Sequence, residues 1–210
     1  FGDRPVIVWS GTWGYKDSQI SSVRTAIGAP GRALLLGSER SADAYAGRAA
    51  LFDGDAYYWS SPDPLSTPGY QRRLNGLAAA VRADGGRWIA PAAPGFDARQ
   101  IGGTSVVPRR DGQTLRAAWT GALNTSPDVL GLISWNEFSE NSYVEPSKSF
   151  GDTYLKLVGD LTAALPAIGS PADSSAAPES SAAVATAAPA VSTPTTGTTS
   201  SPVSNVWGVI

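Results

Sequence analysis

The chain of 210 residues contains no cysteine, no histidine and no methionine. Without Cys and His it has no thiol nucleophile, no disulfide, no Ser-His-Asp triad and none of the usual zinc ligand sets. Its 16 basic and 18 acidic side chains nearly balance, which argues against nucleic acid or a membrane as a partner. Any catalysis must therefore use Asp, Glu, Tyr, Ser, Lys or Arg. We expect no metal, no cofactor and no obligate protein partner.

Charge is also nearly absent from the end of the chain. Every Lys and Arg lies at or before Lys156, and only two acidic residues lie beyond Asp160. We therefore predict a folded domain over residues 1–165, a disordered linker rich in Ser, Thr, Ala and Pro over 166–205, and a short apolar end of unknown role over 206–210. Linkers of this composition are often O-glycosylated in secreted proteins, so we expect the protein outside the cell.

Short apolar runs alternate with helix-like stretches in the first 165 residues. The runs are too short for helices and most are bounded by Gly or Pro, which is typical of buried strands. They lie at 6–9, 33–36, 56–59, 88–90 and 129–134. The stretches with helical spacing and plausible caps lie at 42–51, 69–83, from 111 or 114 to 123, and at 153–165. This alternation predicts an α/β fold with a parallel sheet.

Two α/β architectures fit five strands. A doubly wound domain would normally bind its ligand at a Gly-rich first turn, but residues 10–15 read SGTWGY, which is not that turn. Each predicted strand ends in polar or aromatic residues, as the strands of catalytic (β/α)8 barrels do. The sequence therefore favours the C-terminal portion of a (β/α)8 TIM barrel, about five βα units. The missing initiator methionine agrees with a piece of a longer protein.

Residues 130–146, LGLISWNEFSENSYVEP, carry the strongest chemical signal. A buried strand runs directly into a loop that holds Glu137, Glu140 and Glu145, with Trp, Asn, Phe and Tyr between them. Glycoside cleavage needs one acid to protonate the departing oxygen and a second as base or nucleophile, while flat aromatic faces hold the sugar rings. The alternative is a solvated acidic loop, which the bulky aromatic neighbours disfavour.

This segment resembles a known family. WNEFSE at 135–140, followed by YVEP at 143–146, is similar to the last-strand motif of glycoside hydrolase family 99, the endo-α-mannosidases and endo-α-mannanases, and family 71, the α-1,3-glucanases, has a related motif. Residues 52–58 and 91–97 resemble the sixth- and seventh-strand segments of such barrels. The family has Trp where Phe138 stands and Gly where Asn141 stands.

The resemblance implies a retaining hydrolysis of an α-linked mannan or glucan without a covalent glycosyl-enzyme. Glu137 would be the base that deprotonates the 2-hydroxyl of the sugar, and Glu140 the acid/base at the leaving oxygen. Trp135, Asn136 and Tyr143 would contact the polysaccharide or glycan substrate.

Other aromatic residues are weaker candidates for substrate binding. Trp13, Tyr57 and Tyr58 suit a sugar platform, although aromatic residues near strand ends also pack in cores. Only one of the two tyrosines can point inward, because side chains alternate along a strand, and that one would hydrogen-bond a catalytic carboxylate. Asp97 suits a sugar hydroxyl, but its position after Pro-Gly favours an Asx-turn that caps the next segment.

Three remaining acids carry minor predictions. Glu39 reaches the catalytic face and is a minor candidate there, whereas Asp53 and Asp55 lie at the N-terminal side of their strand, where a structural role is expected. Two further functions stay open: a carbohydrate-binding barrel that does not hydrolyse, and a complete doubly wound domain that binds a small metabolite. In the doubly wound case the strands would take the order 2-1-3-4-5.

Overall fold

The structure is a computed structural model that describes residues 3–165. The predicted linker 166–205 and the end 206–210 lie outside the described residues. Seven strands and five α-helices make up the described part. The strands are β1 Val6–Val8, β2 Leu34–Leu36, β3 Gly54–Ala56, β4 Arg87–Ala92, β5 Phe96–Asp97, β6 Val106–Val107 and β7 Val129–Leu132. The helices are α1 Asp17–Ile27, α2 Ala42–Ala46, α3 Tyr70–Ala83, α4 Gln113–Leu123 and α5 Thr153–Ala163.

Five of the strands run parallel, and neighbours in space follow chain order. β1 pairs with β2, and β3, β4 and β7 pair in that order, all parallel. A parallel bridge between Gly37 and Asp55 joins the two groups. The predicted α/β class with parallel pairing is confirmed. The order 2-1-3-4-5 of a doubly wound domain is not present in the described part of the chain. The observed pairing in chain order is compatible with part of a (β/α)8 barrel, which stays a prediction.

The alternation of side chains along the strands separates two apolar layers. On β4, Trp88 and Ala90 face the helices and join the main core, whereas Ile89 faces the other way. Trp88 is fully buried, and its indole N–H donates to Thr125 Oγ1 at 2.8 Å. Burial of such a side chain stabilises the fold by roughly 2–3 kcal/mol. The main core therefore lies between the sheet and its helices.

The opposite face of the sheet is covered less well. Leu36, Ala56, Ile89 and Val129 form a small buried cluster on it, but Val8 at the end of β1 stays 43% exposed. Within residues 3–165, β1 and β7 each pair with a strand on one side only. The strands thus present a partly open apolar face that leads to their C-terminal ends.

Two elements differ from the sequence-based predictions because their signals are local and weak. Helix α1 lay outside the predicted helical stretches: only Ile20 of it is buried, so it has almost no apolar periodicity. The predicted helix 42–51 is instead divided, since α2 ends at Ala46 with Gly47 as its C-cap and a 3-10 turn follows at Ala49–Leu51. The predicted cap by Ser41 is present, with its hydroxyl accepting from the backbone N–H of Ala44 at 3.2 Å.

Candidate active site

The loop that follows β7, residues 133–145, carries the predicted carboxylates and is named here the carboxylate loop. It folds back on itself through backbone hydrogen bonds. Ser134 N–H donates to Ser142 O at 2.7 Å, and Val144 N–H returns to Ser134 O at 3.1 Å. Between these bonds a single 3-10 turn spans Phe138–Glu140. The two ends of the loop are therefore fastened together, and Glu137 and Glu140 lie at its tip.

Asn141 makes the turn after the second carboxylate possible. It has a left-handed backbone, with φ 49° and ψ 34°, a conformation that Gly and, among other residues, Asn adopt readily. This is the position at which the resembling motif has Gly. Asn at this position therefore keeps the turn, and its side-chain oxygen accepts a hydrogen bond from Arg109 at 3.2 Å.

Glu137 is held by hydroxyl groups from two parts of the chain. Its Oε2 accepts from the phenol of Tyr58 at 2.5 Å and from Ser142 Oγ at 3.3 Å. The backbone N–H of Glu137 also donates to Ser134 Oγ at 2.9 Å. Tyr58 follows β3 and Glu137 follows β7, so the C-terminal ends of two strands meet at this carboxylate.

Tyr57 and Tyr58 point to opposite sides, as the alternation rule predicts. Tyr57 is 5% exposed and lies in the main core beside Trp59, whereas Tyr58 is 36% exposed and reaches Glu137. The backbone N–H of Tyr58 donates to Ser38 Oγ at 3.3 Å. The residue that contacts the carboxylate is thus Tyr58.

The two carboxylates differ in their surroundings. Burial, followed by the negative charge of Glu137 and a hydrogen bond with it, raises the pKa of Glu140 above its ordinary value. Burial and the neighbouring negative charge both favour the neutral, protonated form of Glu140. Burial, the hydrogen bond to Glu137 and the two nearby negative charges also raise the pKa of Tyr58, so its phenol remains a donor. Glu137 thus accepts from two hydroxyl groups, and Glu140 stands near it with a raised pKa.

Arg109 supports the carboxylate loop from behind. Its guanidinium donates to Asn141 Oδ1 at 3.2 Å, to Asn141 O at 3.1 Å and to Tyr143 O at 2.7 Å. The rings of Tyr143, Phe150 and Tyr154 surround it, with centroids 4.3–4.7 Å from Cζ. Burial lowers the pKa of Arg109 from its ordinary value. Sequence reasoning missed this residue, because nothing near Arg109 in the chain signals a contact with a loop more than thirty residues away.

The other predicted site residues fall into two groups. Trp135, 50% exposed, and Asn136, also exposed, stand beside Glu137 on the open side of the loop. Tyr143 is buried beneath Phe138, with ring centroids 4.3 Å apart, so it supports the loop from within. Trp13 lies in the 3-10 turn Thr12–Gly14 that follows β1, and Arg40 stacks over its ring with Cζ 4.5 Å from the centroid.

Asp97 has the capping geometry that its sequence context favours. Its carboxylate accepts from the backbone N–H of Arg99 at 3.1 Å and pairs with the Arg99 guanidinium at 2.6 Å, which caps the 3-10 turn Ala98–Ile101. The hydrogen bonds from Arg99 lower the pKa of Asp97 to about 2. Both oxygens are thus occupied within the chain.

The minor acidic candidates are bound by backbone groups and arginines. Glu39 is buried and pairs with Arg48 at 2.9 Å, and Asp55 Oδ2 accepts from the backbone N–H of Glu39 at 2.8 Å. Asp53 accepts from the backbone N–H of Leu35 at 2.8 Å and pairs with Arg24 at 2.8 Å. These contacts fasten neighbouring strands to each other, which is the structural role expected for Asp53 and Asp55.

An apolar pocket of about 210 Å³ opens on the uncovered face of the sheet, beside Tyr58. Its lining comes from the ends of β1, β3, β4 and β7, and consists of Val8, Ala56, Tyr57, Tyr58, Ile89, Gly131, Leu132 and Ile133. Among residues 3–165, no group of three or more acidic side chains is placed to hold a metal ion. In the same range, no helix has the length and apolar character that crossing a membrane requires.

Two solved structures resemble this chain in fold. One is the glycoside hydrolase family 99 endo-α-mannosidase from Bacteroides thetaiotaomicron, with a TM-score of 0.64, 15% identity and coverage of 78% of this chain and 55% of that chain. The other is this endo-α-mannosidase in complex with BIS-TRIS-propane, with a TM-score of 0.61, 15% identity and coverage of 78% and 59%. The chain thus spans 55–59% of the length of the structures it matches. No family model and no curated protein matches the sequence.

Proposed function

We propose that the chain is the carboxylate-bearing part of a glycoside hydrolase that cleaves an α-linked glycan, a mannan or a glucan, with Glu137 as base and Glu140 as acid. The observation that carries the proposal is the unequal environment of the two carboxylates. Tyr58 and Ser142 donate to Glu137 Oε2 at 2.5 and 3.3 Å, whereas the pKa of Glu140 is raised. A carboxylate that accepts and a neighbouring acid with a raised pKa are what acid–base cleavage of a glycoside requires.

The proposed reaction has two steps. In the first, Glu137 takes the proton of the sugar 2-hydroxyl, whose oxygen attacks the anomeric carbon while Glu140 gives its proton to the departing oxygen. The product is a 1,2-anhydro sugar and a free leaving-group hydroxyl. In the second, Glu140 takes a proton from water, the water oxygen attacks the anomeric carbon, the bond from that carbon to the 2-oxygen breaks, and Glu137 returns its proton to the 2-oxygen. Two displacements at one carbon retain its configuration.

The surroundings of the pair suit a sugar chain. Trp135 offers an exposed indole face beside Glu137, and stacking on such faces is a common way of holding sugar rings. The apolar pocket next to Tyr58 adds a concave surface at the same strand ends. The fold likeness to a family 99 endo-α-mannosidase supports the proposal at the level of architecture. The extracellular location stays a prediction from the Ser- and Thr-rich segment.

The experiment compares three single substitutions in the same loop. Glu137→Gln and Glu140→Gln should each abolish release of reducing ends from α-mannan and α-glucan oligosaccharides. Both should leave oligosaccharide binding, measured by isothermal titration calorimetry, within about threefold of the unmodified chain, since one amide replaces one carboxylate of similar shape. Glu145→Gln is the matched control, because Glu145 contributes its backbone N–H to the loop at 2.9 Å from Trp135 O and has no assigned chemistry.

Two outcomes would contradict the assignment. Full activity of Glu140→Gln would exclude it as the acid. Binding of oligosaccharides by the unmodified chain without any cleavage would instead favour the carbohydrate-binding alternative.

A further inference from the structure

A second pocket, of about 270 Å³, shares Tyr57 and Tyr58 with the apolar one. We name it the arginine pocket. Its lining consists of Trp13, Arg40, Tyr57, Tyr58, Trp59, Ser61 and Arg73. These residues come from the ends of β1, β2 and β3 and from the first turn of α3. The arginine pocket therefore opens at the same edge of the sheet as Glu137, with Tyr58 forming a wall that it shares with that site.

Two guanidinium groups stand in this pocket against aromatic rings. Arg40 lies over Trp13 with Cζ 4.5 Å from the ring centroid, and Arg73 lies over Trp59 at 5.0 Å. Arg73 also donates to the backbone carbonyl of Arg40 at 2.9 Å, so the two side chains belong to one arrangement. Stacking orients a guanidinium and leaves its N–H edge free to donate in the plane of the group.

No carboxylate neutralises either arginine within residues 3–165. The ion pairs found there join Arg24, Arg48, Arg87, Arg99, Arg110 and Lys156 to acidic partners. Burial raises the pKa of Tyr57, and the positive charges of Arg40 and Arg73 are close enough to lower it in part. The pocket is thus a concentration of positive charge next to a site that carries two carboxylates.

Each feature of the pocket selects for a different part of a ligand. A forked guanidinium edge matches the paired oxygens of a carboxylate, phosphate or sulfate. The indole and phenol faces match the flat apolar side of a sugar ring. A neutral glycan would stack on the rings but would leave the charges of Arg40 and Arg73 without an anionic partner. An oxyanion attached to a sugar would use both.

We propose that the arginine pocket binds an anionic substituent, a phosphate, sulfate or carboxylate, on a sugar unit next to the linkage that Glu137 and Glu140 address. The substrate class would then be an acidic α-linked glycan. This proposal rests on the proposed function for the cleavage it describes, but the binding it predicts is measured without cleavage.

The test is calorimetric titration of the full chain with matched probes: α-mannobiose, 6-phospho-α-mannobiose, an α-linked glucuronosyl-mannose and inorganic phosphate. We expect at least one acidic disaccharide to bind about tenfold or more tightly than α-mannobiose, which is the effect of one charge-assisted hydrogen bond. Raising the NaCl concentration should reduce that preference, since screening weakens exposed charge pairs. The tighter of the phosphorylated and carboxylated probes identifies the anionic group.

Variants assign the effect to the pocket. Arg40→Gln and Arg73→Gln should each remove most of the preference for the acidic disaccharide while leaving the affinity for α-mannobiose within about twofold. Arg72→Gln is the matched control, because Arg72 is the preceding exposed residue of α3 and does not line the pocket. Circular dichroism melts of all three variants establish that they fold alike.

Three results would overturn the proposal: equal affinity for neutral and acidic disaccharides, equal losses in Arg72→Gln and Arg73→Gln, or inorganic phosphate binding as tightly as the phosphorylated sugar. Its failure is separable from failure of the proposed function. Cleavage of neutral glycan without acidic preference would reject the anionic subsite alone, whereas acidic binding without any cleavage would reject only the hydrolase.

Discussion

Replacing Arg109 tests whether the carboxylate loop depends on a single buried cation. Arg109 is 6% exposed and makes three hydrogen bonds to Asn141 and Tyr143 within a cage of aromatic rings. Arg109→Met keeps an unbranched apolar side chain that fits among rings and makes favourable sulfur–aromatic contacts. The substitution therefore removes the donors while filling most of the space.

The size of the effect follows from two opposing contributions. Hydrogen bonds from a charged donor stabilise by about 1.5–3 kcal/mol each, and two of the three are long, at 3.1 and 3.2 Å, so their sum is about 4–5 kcal/mol at the low end of that range. Against this, a buried guanidinium carries a desolvation penalty of several kcal/mol that Met does not have. We expect a net loss of about 2 kcal/mol, confined to the loop, which corresponds to a roughly 30-fold larger open population.

Hydrogen exchange measured by mass spectrometry gives the direct readout. Peptides covering residues 133–145 should exchange about 30-fold faster in Arg109→Met, while peptides from β4 and α3 should be unchanged. Arg116→Met is the control, because Arg116 is an exposed residue of α4, the helix that begins just after Arg109. Unchanged exchange of the loop in Arg109→Met would show that its own backbone hydrogen bonds suffice, and would refute the reasoning.

Carboxyl and hydroxyl groups near the strand ends lead to further predictions. Burial and Glu137 raise the pKa of Glu140, so the stability that its protonated form contributes is present below pH ~4.5 and is lost as the pH rises. Glu140→Gln should therefore raise the free energy of unfolding by up to about 1 kcal/mol at pH 7 and by almost nothing at pH 4, measured by urea unfolding. Asp55 is fully buried, and burial raises its pKa as well. Asp55→Asn should therefore raise the free energy of unfolding by more, on the order of 2 kcal/mol at pH 7. A lower free energy of unfolding in this variant would contradict the reasoning. Tyr58→Phe should lower kcat/KM on α-linked oligosaccharides roughly 10–100-fold by removing the donor to Glu137, with unchanged activity as the refuting result.

The sequence predicted the parallel sheet because its strands are continuous apolar runs with turn residues around them. Leu34–Leu36 and Val129–Leu132 needed no information from the rest of the chain to be recognised as buried strands. Their chain-order pairing agrees with the architecture favoured by the polar strand ends. Helix α1 and the short antiparallel pair β5–β6 were not predicted, since two-residue strands and a helix with one buried residue have no periodicity to detect.

The parts of the candidate site that lie close together in the chain could be predicted, whereas its arginines could not. Glu137 and Glu140 stand in one loop, and alternation limits which of Tyr57 and Tyr58 can reach them, so local rules narrow the choice. Arg109 and Arg73 enter through contacts between residues more than thirty positions apart. Such contacts depend on how helices and loops pack, which a single sequence does not encode in any local pattern.

The ring-stacked arginines of this molecule differ in what their guanidinium groups contact. Arg109 is enclosed by rings and its donors end on loop carbonyls, so its charge holds a loop in place. Arg40 and Arg73 also stack on rings, but their exposed edges face a pocket rather than a carboxylate. Stacking orients all three groups, and what differs is what they contact: Arg109 makes three hydrogen bonds to the carboxylate loop, whereas Arg40 and Arg73 line a pocket and the one side-chain bond between them is from Arg73 to the Arg40 carbonyl. Two ring-stacked guanidinium groups that line a pocket and have no carboxylate partner within residues 3–165 are suited to an anionic ligand, and the proposal of an acidic glycan rests on this difference from Arg109.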